Sequence, residues 1–82
     1  MPLFFLNQRY GPKYICDPEG AYFESIEHAR LEAIEAAREM MAQMVLTGYL
    51  DLTSSFEIVD QDHHPLRVSF SEALTIRGMP TR

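Results

Sequence analysis

A single cysteine, Cys16, stands in 82 residues. No disulfide can close within the chain, which removes the small secreted scaffolds that staple a minimal core with cystines. Basic residues are also scarce: Lys plus Arg number 7 against 12 Asp plus Glu, giving a net charge of −5. That is the wrong sign for a protein whose affinity comes from neutralising phosphates, so nucleic acid is disfavoured as a partner. No stretch approaches the ~20 apolar residues that a bilayer span requires, and no membrane role is expected. The opening Met1-Pro2-Leu3-Phe4-Phe5-Leu6 is apolar but lacks the basic lead and small-residue cleavage site of a signal peptide. Gly11 and Gly20 are isolated and form no phosphate-binding fingerprint. These absences together predict a protein of the reducing cytoplasm.

What is present is ordinary for a folded chain: 46% hydrophobic and 23% charged residues, with five phenylalanines and four tyrosines. The length supports one core, so a single domain is expected over residues 1–76, followed by a flexible tail at 77–82. The charge is uneven, since residues 1–16 carry Arg9 and Lys13 and no acid.

Patterning sets the order of elements. Leu3–Leu6 reads as a short buried strand ended by the Gly11-Pro12 breaker, and Lys13–Cys16 as its return. Asp17-Pro18-Glu19-Gly20 has the composition of a tight turn, after which Ala21–Phe23 extends the sheet briefly. Ser25 suits a helix N-cap, and Ile26, Ala29, Ala33, Ala37, Met40 and Met44 recur at three- and four-residue spacing to about Thr47, with Gly48 closing the helix. Phe56 and Ile58, then Leu66, Val68 and Phe70, alternate with polar residues as two half-buried strands joined by Gln61-Asp62-His63-His64. Ser71 caps a last helical turn over Glu72–Ile76. The expected fold is α+β in the order β-β-α-β-β: a small antiparallel sheet of two hairpins, one long helix on one face, and a short C-terminal helical turn.

One helix covers one face of a sheet, yet the first strand is apolar on both. Leu3 and Phe5 point one way, Phe4 and Leu6 the other. Tyr14 with Ile15 or Cys16, and Val59 on the otherwise polar side of its strand, extend the uncovered patch. The candidate interaction surface is therefore Leu3, Phe4, Phe5, Leu6, Tyr14 and Val59, with a second copy of the chain as the simplest cover and an unknown protein as a further partner. The alternative is that the C-terminal turn folds back over this face.

Other constellations are weighed against simpler roles. Arg9 and Lys13 among Tyr10, Tyr14 and Tyr22 have the residue types of a base-stacking single-strand binder, the alternative function, against the adverse net charge. His63 and His64 beside Asp60 and Asp62 offer metal-type donors, but adjacent histidines rarely converge on one ion and the turn lacks a second ligand pair, so no metal site is assigned. Cys16 with His28 or His63 as base would make a nucleophile, but cysteine is more often a packing residue. Asp17, Glu19 and Glu24 read as turn acids and Met40, Met41 and Met44 as core. No catalytic set and no cofactor is expected, and the chain reads as a non-enzymatic interaction or regulatory module.

The order of these motifs resembles a family of very short bacterial proteins, largely alphaproteobacterial, known as a domain of unknown function. Met1-Pro2-Leu3-Phe4-Phe5 with Arg9 and Gly11 is similar to its Met-Pro-basic-aromatic opening, and Asp17, Glu19 and Gly20 to its Asp-Glu-Glu-Gly turn. Ser25-Ile26-Glu27, Ala29-Arg30 and Glu32-Ala33 are similar to its helix start, Val59-Asp60-Gln61-Asp62 to its second hairpin, and Phe70-Ser71-Glu72-Ala73-Leu74 to its ending. This chain has Leu3 where a basic residue is common and His63-His64 where glycine is common. The resemblance supports the fold and implies no activity.

Overall fold

The structure is a computed structural model and describes residues 1–78. Its elements are β1 (Leu3–Tyr10), β2 (Lys13–Ile15), β3 (Ala21–Tyr22), α1 (Ile26–Leu46), β4 (Ser55–Val59), β5 (Pro65–Ser69) and a 3-10 turn at Ser71–Ala73. The sheet is antiparallel with strand order β2-β1-β4-β5, and β3 also pairs with β1. The α+β order, the two hairpins, the single long helix and the C-terminal turn are thus as the patterning predicts. Residues 79–82 of the expected tail lie outside the described residues. Among the described residues no helix is long and apolar enough to cross a membrane.

Strand β1 runs four residues beyond the apolar stretch that announces it. Asn7 and Arg9 stand opposite Glu57 and Ser55 of β4, so they sit on the face that α1 leaves open and need not be apolar. On the other side of β1 the partner strand is interrupted. Between the Gln8–Ile15 and Phe4–Ala21 pairs, β1 supplies Phe5, Leu6 and Asn7 while the partner supplies Cys16 through Gly20. Two extra residues must bulge out of the ladder. The Asp17 carboxylate fills the gap: it accepts from the backbone N–H of Leu6 at 3.2 Å and from those of Glu19 and Gly20 at 3.3 and 3.1 Å. The Asn7 side-chain oxygen in turn accepts from the N–H of Asp17 at 2.8 Å.

Ser25 caps α1 as expected, its hydroxyl accepting from the His28 N–H at 3.3 Å. Ala29, Ala33 and Ala37 are fully buried. Three small residues four apart form a flat ridge that lets the helix axis approach the sheet, which fills the space with Phe4, Phe56, Ile58, Val68 and Phe70. Of the three methionines read as core, Met41 and Met44 are buried, at 2 and 7% exposure, whereas Met40 is half-buried. The stripe keeps its four-residue step from Ala37, which brings Met41 rather than Met40 into the core cluster.

The C-terminal turn also differs from expectation. It is 3-10, ends at Ala73, and Leu74 is already extended. Ser71 does not cap it. Instead the Ser69 hydroxyl accepts from the Glu72 N–H at 3.3 Å while the Glu72 carboxylate accepts from the Ser69 N–H at 3.0 Å, a reciprocal capping box. Arg38 of α1 donates to the Ala73 carbonyl at 2.8 Å and Arg30 pairs with Glu72 at 3.0 Å. The turn is therefore held beside the helix, and it does not fold over the open face.

Candidate functional site

Side chains alternate across a strand, so the pairing register sorts the predicted surface into two faces. Phe4, 5% exposed, and Leu6 point toward α1; Phe4 joins the core against Phe23, ring centroids 6.1 Å apart. Leu3 and Phe5 point away, with Tyr22 beside Leu3 and Val59 beside Phe5. Leu3, Phe5 and Val59 are each half-buried by neighbours in the sheet, and Tyr22 is exposed. Of the six candidate residues, four remain on the uncovered face: Leu3, Phe5, Tyr14 and Val59. Ile15 does not, because it pairs with Gln8 and faces the helix side.

The other half of that face is polar and cross-linked. Tyr14 of β2 donates its hydroxyl to Glu57 of β4 at 2.6 Å, reaching across β1, whose Asn7 donates its side-chain amide to the same hydroxyl at 3.0 Å. The carboxylate beside Tyr14 raises the phenol above its usual range, with partial burial adding to the effect. Arg9 lies over the Tyr14 ring, 4.9 Å from its centroid. Arg67 stands opposite Glu57 on β5. Among the described residues neither Arg9 nor Arg67 is in an ion pair. Lys13, paired with Tyr10, lies on the opposite face from Arg9, so the two cations and the tyrosines of the base-stacking constellation do not share one platform.

The thiol and the histidines are not brought into a catalytic arrangement. Cys16 is exposed and lines a groove with Ile15, Pro18 and Met40, whereas His28 faces Glu24, just ahead of α1, at 3.6 Å and His63 sits in the second hairpin. At that hairpin Asp60 is the organiser. One carboxylate oxygen accepts from the N–H groups of His64 and Asp62, both at 2.9 Å, and these bonds, His64's foremost, hold its pKa below the usual carboxylate range. His64 turns its ring toward Asp60 at 3.5 Å. Donor atoms of Asp60, Asp62 and His64 lie within 4.8 Å of one another; His63 is not among them. The turn explains these contacts without an ion.

Sequence reading missed the end of α1. Val45, Leu46 and Tyr49 are 59, 77 and 59% exposed, and Leu50 joins them. The signal was partly available: Leu46 falls off the Ala29-Ala33-Ala37-Met41 stripe, whereas Val45 continues its four-residue step, which drifts around the axis and by that point has left the sheet-facing side. On the helix side of the β2 edge, this end of the helix walls a groove of about 580 Å³ lined by Tyr10, Lys13, Ile15, Met40, Met44 and Tyr49 among others.

The sequence model of a family described as a domain of unknown function (DUF6894) matches residues 3–71, and the chain belongs to that family. No curated protein and no solved structure matches it.

Proposed function

We propose that this member of the DUF6894 family is a non-enzymatic interaction or regulatory module of the bacterial cytoplasm, and that it pairs with a second copy of itself through the open face of its sheet. One observation carries the reading: β1 is apolar on both sides, while α1 and the C-terminal turn pack on the same side. Leu3, Phe5 and Val59, with Tyr22 next to them, supply an apolar centre. Glu57 with the unpaired Arg9 and Arg67 supplies both signs of charge on that same face. A two-fold axis makes such a face self-complementary, since each copy offers the acid and the base that the other needs. A partner protein then reads the paired form.

Sedimentation equilibrium of untagged protein tests this. A dimer is expected, Val59→Lys is expected to shift it to monomer with its helical circular dichroism intact, and Leu31→Lys on the outer helix surface is expected to leave it unchanged. A monomer at every concentration reached, or a dimer indifferent to Val59→Lys, overturns the reading.

A further inference from the structure

The groove between β2 and the C-terminal half of α1 lies on the other side of the sheet from the proposed pairing surface, and its composition is unusual for this chain. The protein has 12 carboxylate side chains, yet among the described residues none lines this 580 Å³ compartment, where Lys13 is the one charged residue. Lys13 is exposed, and no ion pair among the described residues engages it. Ile15, at 49% exposure, and Met40 and Met44 make the apolar walls. Methionine thioethers adapt to irregular apolar shapes. A second compartment of about 390 Å³ shares Ile15 and Met40 and is lined further by Cys16, Asp17, Pro18 and Phe56; the Asp17 carboxylate there already accepts from the N–H groups of Leu6, Glu19 and Gly20. The volume falls in the range of small-molecule sites, about 300–1,000 Å³.

The polar groups point to an anion. Among the described residues Tyr10 donates its hydroxyl to the thioether of Met40 alone, at 3.6 Å, a weak acceptor that an oxygen would replace to advantage. Burial, with the nearby Tyr49 phenol, raises the Tyr10 pKa, so its hydroxyl stays protonated as a donor. Gln43 and Thr47, the remaining polar residues of the lining, are uncharged. Lys13 and Tyr10 are paired across the hairpin and both line the groove, so an ammonium and a phenol hydroxyl are the two donors it offers a carboxylate.

We propose that this groove binds a small amphiphilic carboxylate, an aromatic or branched aliphatic acid. Its carboxylate meets Lys13 and Tyr10, and its apolar body lies on Ile15, Met40 and Met44. The site works independently of pairing through the open face.

Methyl-labelled NMR of the full chain tests it with 4-phenylbutyrate and its neutral amide as probes. Saturable shifts are expected at the Ile15, Met40 and Met44 methyls, with the acid bound about tenfold more tightly than the amide, as a charge-assisted contact gives. Lys13→Gln is expected to abolish the difference between the two probes, and Arg30→Gln, in the N-terminal half of α1 and outside the groove lining, to preserve it. Equal binding of acid and amide overturns the proposal, as do shifts confined to other methyls or none at all. Shifts of the same methyls with protein concentration alone would also overturn it, by showing a second copy in the groove.

Discussion

A Cβ added to Gly20 would stand 2.8 Å from the carbonyl oxygen of Phe4 and 3.0 Å from the Phe5 ring. The loop that Asp17 organises thus presses its backbone onto β1 at the one point where no side chain fits. Gly20 also has φ +72°, so an L side chain there meets both a conformational penalty and a wall. Gly11, at φ +54°, has nothing within 4 Å of its added Cβ. Gly11→Ala should therefore cost only the left-handed penalty, about 1 kcal/mol, and Gly20→Ala clearly more, about 2 kcal/mol or above. Urea unfolding of the two variants separates the effects, and equal losses would show that the Phe4 contact does not constrain the loop.

Strand and helix order was legible because it follows from local chemistry. Ser25 before a three-four apolar rhythm predicts a capped helix, and alternation at Phe56–Ile58 and Leu66–Phe70 predicts half-buried strands; both are present. What escaped depends on neighbours distant in sequence. Asn7 and Arg9 belong to a strand only because β4 offers Glu57 and Ser55 across from them. The 3-10 turn stops at Ala73 because Arg38, 35 positions earlier, takes its carbonyl. The candidate surface was half legible: two-sided alternation placed Leu3, Phe5 and Val59 together, whereas the groove at Lys13 needs the hairpin register and the end of α1 at once.

The unequal burial of Met40 and Met41 gives a direct comparison. Met41 is 2% exposed inside the core cluster, and Met40 is half-buried at the groove. Met41→Ala is expected to lose about 2–4 kcal/mol through lost burial and an unfilled cavity, and Met40→Ala less than about 1.5 kcal/mol. The order of the two denaturation midpoints checks the assignment.

Close approach along the alanine ridge predicts the opposite kind of damage. Ala33 has no exposed surface, so Ala33→Leu must push α1 off the sheet, with an expected cost of about 1–3 kcal/mol or more. Ala42, exposed on the same helix, should accept leucine within about 0.5 kcal/mol. Thermal unfolding of both variants by circular dichroism is the measurement.

Three carboxylates, Asp51, Asp60 and Glu72, have folded pKa values below the usual range and are expected to contribute to the acid limb of stability. The Thr53 side-chain and backbone hydrogen bonds, followed by one from Ser54, lower Asp51; the backbone N–H of His64 is the main cause lowering Asp60; the backbone N–H of Ser69 is the main cause lowering Glu72. A folded pKa below the unfolded one means that the unfolded chain binds protons more readily as pH falls. Their contribution is complete above the unfolded carboxylate range and is lost as pH drops through the depressed folded values. Stability should therefore be flat from neutral pH to about 5 and fall below about 4. Replacing all three residues by their amides should flatten that acid limb in urea titrations at successive pH values, and an unchanged limb would place the acid sensitivity elsewhere.

The adjacent histidines of the second hairpin should respond in opposite directions. His63 is the only described non-glycine residue with positive φ, at 61°, and its N–H is held by the Asp60 carbonyl at 3.0 Å. A side chain in that region carries a steric penalty of about 1–2 kcal/mol that glycine escapes, while glycine adds unfolded-state entropy that offsets part of the gain. His63→Gly is expected to stabilise the protein by about 0.5–1 kcal/mol net. His64 has no such backbone demand, faces Asp60 at 3.5 Å and opens into β5, so His64→Gly should destabilise by a similar ~0.5–1 kcal/mol. Chemical denaturation of the two single variants decides it: opposite signs follow if the left-handed position sets the turn, and equal signs would mean that the Asp60 hydrogen bonds alone determine the hairpin and tolerate either residue.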